Sequence, residues 1–85
     1  MDTRVAVISI IIENPEMVER INALLHEYSA YIIGRMGIPY KARHVNIISV
    51  AVDAPQDVIS TLAGKIGMLD GISAKAAYSK YVFND

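Results

Sequence analysis

The chain has 85 residues and a mass of 9.3 kDa, and 53% of it is hydrophobic against 20% charged, which is enough apolar surface to offset the entropy of ordering and suits one compact domain over residues 1–85 with an ordered core at about 4–80. Eight Lys and Arg against nine Asp and Glu give a formal net charge of −1, so the basic footprint of a nucleic-acid binder is missing and direct nucleic-acid binding is not expected. The chain has no cysteine, which excludes disulfides, Cys-ligated zinc, iron–sulfur clusters and thiolate catalysis within it.

Residues 4–12 are dominated by β-branched side chains, which pack well on a pleated surface and crowd a helix, and they predict the first strand. This longest apolar stretch is far shorter than the ~18–20 residues of a membrane span, and no small-residue cleavage site follows it, so the expected protein is mature, cytoplasmic and free of membrane segments. Asn14-Pro15 is a capping side chain followed by a ring suited to the first helical position. Val18, Ile21, Leu24, Leu25 and Tyr28 then recur at spacings of three and four, the buried stripe of a first helix. A second strand is predicted over 31–36, weakened by Gly34, closed by Gly37 and Pro39 and placed at a sheet edge by that proline. After a connection at 40–43, residues 44–52 repeat the composition of the first strand and predict a third.

Asp53-Ala54-Pro55 repeats the cap-then-proline signal, and Val58, Ile59, Leu62 and Ile66 supply a second helical stripe that ends near Gly67. There Gly67 is expected in the left-handed conformation, with Lys65 facing the helix dipole and Gly64 allowing close packing. Asp70-Gly71 marks a turn. Ile72, Ala74, Ala76 and Tyr78 alternate with Ser73, Lys75 and Ser79, the pattern of a half-exposed fourth strand, and 81–85 remain as a tail. The order βαββαβ predicts an α+β, ferredoxin-like fold: a four-stranded antiparallel sheet in the order 4-1-3-2 with both helices on one face.

Alternation places Val5, Val7, Ser9 and Ile11 on one face of the first strand and Ala6, Ile8, Ile10 and Ile12 on the other; Val45, Ile47, Ser49 and Ala51 likewise oppose Ile48, Val50 and Val52. Both faces of the central strands are apolar, and two helices cover only one. The uncovered face would expose roughly 400–600 Å², at or above the largest patch usual on a soluble monomer. At ~25 cal/mol per Å² its burial is worth about 10–15 kcal/mol per chain as an upper bound, comparable with the cost of association. The expected interface of a homo-oligomer, a dimer or tetramer, is therefore Val5, Val7, Ser9, Ile11, Val45, Ile47, Ser49 and Ala51; the alternative is a monomer that tolerates the patch or folds its tail over it.

Chemistry is sparse. His26 and His44 have no partners at metal-ligating or catalytic spacing, so no metal, cofactor or catalytic residue is expected. Arg35, Lys41, Arg43 and His44 gather along the second strand and the connection after it, a basic cluster suited to an anionic effector or to the acidic first helix of a neighbouring subunit; the competing reading is ordinary solvated surface. The central strands carry no aromatics for base stacking, there is no Cys pair of a metallochaperone, and Glu13-Asn14-Pro15 stands where an acylphosphatase has its anion-cradling loop.

The segments 24–29, 34–40 (Gly-Arg-Met-Gly-Ile-Pro-Tyr) and 62–72 (Leu-Ala-Gly-Lys-Ile-Gly-Met-Leu-Asp-Gly-Ile), with Lys75, resemble the family of iron-only hydrogenase system regulators over nearly the whole chain. That resemblance implies a fold similar to ACT domains and to the C-terminal domain of the nickel-responsive repressor, and with it a homo-oligomeric regulatory module. The repressor's metal-binding histidines and cysteine and its DNA-binding segment have no counterpart here, so neither nickel sensing nor operator binding carries over. The expectation is a stand-alone, non-catalytic regulatory domain with a small-molecule effector or partner protein at a subunit interface. The alternatives are a small ferredoxin-like enzyme with a site between sheet and helices, and a purely structural assembly subunit.

Overall fold

The two segments richest in β-branched residues form the adjacent middle strands of the computed structural model, which describes residues 2–84. In chain order the elements are β1 (Asp2–Ile12), a 3-10 turn (Pro15–Met17), α1 (Val18–Glu27), a 3-10 turn (Ser29–Tyr31), β2 (Ile32–Tyr40), a 3-10 turn (Lys41–Arg43), β3 (Val45–Ala54), α2 (Gln56–Gly67), β4 (Ile72–Tyr78) and β5 (Phe83–Asn84). The fold is α+β, with the sheet order β2-β3-β1-β4 and antiparallel pairing throughout. The sheet has five strands where the sequence predicts four, because β5, placed in the tail, pairs Phe83 and Asn84 with Thr3 and Asp2 at the start of β1. That pairing also begins β1 at Asp2, two residues before the predicted start at Arg4.

β1 and β3 run side by side from Arg4↔Ala54 to Ile12↔Asn46. Ala6, Ile8, Ile10 and Ile12 from β1 and Ile48, Val50, Val52 and Ala54 from β3 share one face and are buried. Onto them pack Ile21 and Leu25 of α1, Ile59, Leu62 and Ile66 of α2, and Ile72 at the head of β4. Both helices therefore cover the same side of the sheet, each contributing the stripe that its three-and-four spacing defines.

The ends of these elements show where local signals yield to tertiary ones. Asn14 Oδ1 accepts a hydrogen bond from the Glu16 N–H at 3.1 Å and Pro15 takes the first turn, as the sequence predicts. The corresponding signal before α2 works differently: β3 continues to Ala54, Asp53 stays paired with Val5, and Pro55 itself is the capping residue, without a side-chain cap. Continuing the ladder buries Ala54 and wins over an early helix start. α2 ends at Gly67 as expected, but the left-handed turn lies further on. Gly71, with φ +74°, is the only positive-φ glycine among the described residues, the helix exits through Met68, and Gly64 faces open space rather than a close neighbour.

β2 runs through Gly37 and Pro39 to Tyr40 instead of stopping at 36. It is an edge strand paired only with β3, so the N–H that proline lacks can be spared on the open side. A register shift between Ile32 and Gly34 marks an irregularity near its start. His44, predicted as the first residue of the third strand, instead closes the preceding connection at φ 55° and ψ 41°.

Gly71 also joins the two halves of the chain. The Glu13 N–H donates to the Gly71 carbonyl at 2.9 Å, and Asn14 Nδ2 donates to the Asp70 carbonyl at 3.3 Å. A Cβ at position 71 would stand 2.7 Å from Asn14 Cβ. Gly71→Ala combines that overlap with an unfavourable left-handed φ, and the expected loss of stability is about 1–3 kcal/mol in urea unfolding; a variant as stable as the parent would refute the close approach.

Candidate functional site

The side of the sheet away from the helices carries the residues that alternation assigns to it. Val7, Ile11 and Ile47 are 39%, 44% and 40% exposed, Ser9 is exposed, and Val5, Val45, Ser49 and Ala51 are half-buried. Register sets them side by side as Val7↔Ala51, Ser9↔Ser49 and Ile11↔Ile47, a continuous strip across the two central strands.

β2 widens this strip in a way the sequence reading missed. Met36 lies opposite Ser49, Ile38 opposite Ile47 and Tyr40 opposite Val45, so all three face the same side and are exposed. Their spacing of two was the available signal, but Gly37 and Pro39 between them read as terminators. On the other flank the register brings Ser73, Lys75 and Ala77 of β4 beside Ile11, Ser9 and Val7. The open face is thus apolar from β2 across β3 to β1 and turns polar at β4. The tail does not cover it: β5 pairs along the start of β1, and Tyr81, Val82 and Phe83 are themselves exposed.

The four basic residues do not form one cluster. Lys41 and His44 line a shallow hollow of about 340 Å³ with Pro15, Tyr40, Val45 and Asn46. Arg43 lies in the same exposed 3-10 turn. Arg35 is elsewhere: opposite Val50 in register, it points to the helix side of the sheet, where its Nη2 donates to Asn22 Oδ1 of α1 at 2.9 Å. Alternation against β3 assigns Arg35 to the helix side, and the end of β2 at Tyr40 separates it from Lys41 and Arg43.

A third concavity, of about 510 Å³, lies on the outer side of the helix pair and is lined by Arg20, Ala23, Leu24, Glu27, Lys65, Met68 and Leu69. The Lys65 ammonium donates to the Tyr28 hydroxyl at 3.0 Å and sits 5.3 Å from the centre of that ring. The hydrogen bond to Tyr28 and electrostatic attraction to it raise the Lys65 pKa above its ordinary 10.5, desolvation opposes this, and Glu27 adds a smaller push upward. Among the described residues no group of three or more His, Asp or Glu side chains comes together to hold a metal ion, and no helix is long and apolar enough to cross a membrane.

Known proteins place the chain within a family. Residues 4–76 match the family described as "TM1266-like: Iron-only hydrogenase system regulator, putative". Among solved structures, an uncharacterized protein from Thermotoga maritima, TM1266, is similar with a TM-score of 0.87 and 28% sequence identity, over 92% of this chain and 99% of that one. No curated protein matches the chain.

Because the folded state favours charged Lys65, the stability this contact supplies is complete below pH 10.5 and is lost as pH rises through the higher folded pKa. Tyr28→Phe removes the hydrogen bond, and the Lys65 titration, followed by NMR of its side-chain carbons, is expected to move back toward 10.5; an unmoved titration would show that the phenol does not hold the ammonium.

Proposed function

Since the chain belongs to the family of iron-only hydrogenase system regulators, we propose that it is a non-catalytic regulatory module of the ACT-like, ferredoxin-like kind that works as a homo-oligomer in the cytoplasm. It assembles as a dimer or tetramer through the open face of its sheet and takes a small effector or a partner protein, acting on the regulated system through that contact rather than by binding nucleic acid itself.

The observation that carries the assembly is surface area. A folded monomer of 9.3 kDa is expected to expose about 5,000 Å², whereas this chain exposes 5684 Å². The excess of about 700 Å² approaches the ~800 Å² that each partner contributes to a standard interface. The shape agrees: the radius of gyration is 12.9 Å against about 12 Å for a compact domain of this length, and the extents of 43 × 19 × 17 Å describe an elongated body. Val7, Ile11, Ile47, Met36, Ile38 and Tyr40 gather exposed apolar surface into one strip on the open face, while Ile33, Met68, Tyr81, Val82 and Phe83 are exposed outside it.

The non-catalytic reading rests on the chemistry of the side chains. The histidines lie on different elements, His26 in α1 and His44 after β2. Lys41, Arg43 and His44 form an exposed basic edge beside the open face, suited to an anionic effector or to an acidic surface of a partner at a subunit junction.

Sedimentation at micromolar concentration is expected to give at least twice the 9.3 kDa chain mass. Ile47→Lys and Val7→Lys each put a charge into the strip without touching the buried side, so both are expected to give folded monomers with an unchanged far-UV spectrum. A wild-type monomer, or a variant of unaltered mass, would overturn assembly through this face. Arg43→Glu is expected to abolish the response to an anionic effector or partner while leaving the fold intact, and an unchanged response would remove the basic edge from the site.

A further inference from the structure

Val18, Asn22 and His26 follow one another at intervals of four in α1 and so form one stripe, which faces β2. β2 meets it with every second residue: Arg35, Gly37 and Pro39 are opposite Val50, Ile48 and Asn46 and share their helix side of the sheet. Between helix and strand lie two hollows, of about 290 Å³ and 370 Å³, and both are lined by Asn22 and Arg35. The hydrogen bond between those two side chains bridges the groove where the hollows meet.

Three features define what this groove accepts. Its polar centre is donor-rich: Asn22 Oδ1 is occupied by Arg35, which leaves the Asn22 Nδ2 hydrogens and the remaining guanidinium hydrogens to serve a ligand. No Asp or Glu lines either hollow, so nothing in the lining neutralises the Arg35 charge. The smaller hollow has Val18 on one side, the buried Ile12 and Ile48 as its floor and Ile38 and Ile47 at the sheet edge, and it is open at Gly37, where a Cβ would meet nothing within 4 Å. A single fixed guanidinium beside an amide donor suits a planar monoanion bound side-on, and an aliphatic wall next to it suits a hydrocarbon tail; a phosphate dianion would find one charge and a hydrophobic neighbour.

We propose that the groove between α1 and β2 binds a small aliphatic carboxylate, with the carboxylate on Arg35 and Asn22 and the hydrocarbon chain in the hollow over Gly37 against Ile12, Val18 and Ile48. The proposal deepens the regulatory reading by giving it a ligand class and rests on that reading for the ligand's purpose. Arg35 and Asn22 lie on the helix side of the sheet; Ile38 and Ile47 of the assembly face also line the smaller hollow at the sheet edge, so the two claims are separated by reading binding and mass on the same samples.

The probe is hexanoate, titrated into the 15N-labelled full chain, with hexanol and inorganic phosphate as comparisons and sedimentation run on the same samples. Saturable shifts of the Asn22 side-chain amide, the Arg35 Nε–H and the Gly37 backbone amide are expected with hexanoate, and none with hexanol. Arg35→Gln is expected to weaken binding at least tenfold. Gly37→Val fills the hollow while keeping the guanidinium, fits an extended strand with free space at that position, and is expected to weaken binding at least tenfold without loss of fold. The proposal is overturned by an absence of saturable shifts, by hexanol binding as well as hexanoate, by phosphate producing the same shifts with equal affinity, or by undiminished binding in folded Gly37→Val. A monomeric mass with intact hexanoate binding would overturn the assembly alone.

Discussion

The molecule depends on the antiparallel pairing of β1 with β3 in a register that puts Ala6, Ile8, Ile10 and Ile12 beside Val52, Val50, Ile48 and Asn46 on a single face. A slip of one residue would exchange the two faces of a strand. Here both faces are apolar, so the cost of a slip is set by shape rather than polarity: the helix side takes Ile8, Ile10, Ile12 and Ile48 against Ile21, Leu25, Ile59, Leu62 and Ile66, whereas the other side has Ser9 and Ser49 at its middle among valines and isoleucines. Ser9 beside Ser49 and Val7 beside Ala51 make the open side lower in relief, a surface on which another sheet or a flat partner can rest.

Sequence patterns carried the middle of each element well and its ends less well. Period-two and three-and-four spacing report which side of a strand or helix is buried, and every core residue of β1 and of both helices is recoverable from them. They are blind to what a neighbouring strand supplies. Pro39 terminates a strand by local preference, yet at a sheet edge nothing needs its N–H, and the pairing of Ile38 and Tyr40 with Ile47 and Val45 carries β2 onward. Asp53 is a good cap by local preference and is held in the ladder by Val5. Phe83 and Asn84 carry no pattern of their own and become a strand because the start of β1 lies beside them.

The same limit governs the candidate sites. The apolar residues of the open face follow from alternation in β1 and β3, and their exposure follows from counting helices against sheet faces. Closeness in sequence groups the basic residues, but Arg35 lies within β2 under α1, whereas Lys41 and Arg43 lie in the turn beyond the end of the strand. Arg35 accordingly joins Asn22, thirteen residues away and on another element, instead of Lys41. No spacing rule links a residue in the second turn of a helix to one midway along the following strand, and only the packing of α1 over β2 brings them within 2.9 Å.

The clasp of Asn14 on Asp70 and Gly71 has an evolutionary side. The turn after β1 and the turn before β4 are fitted to one another at backbone distance, so an extra residue in either would displace the other, and the two halves of the chain must keep matched lengths at that end. The exposed connection Lys41–Arg43 lies at the same end of the sheet, with Lys41 and His44 beside Pro15, but among the described residues its only backbone hydrogen bond outside the strands is its own, from the His44 N–H to the Lys41 carbonyl. A change of length within 41–44 therefore disturbs less backbone pairing than one at 13–14 or 70–71, although both turns sit side by side.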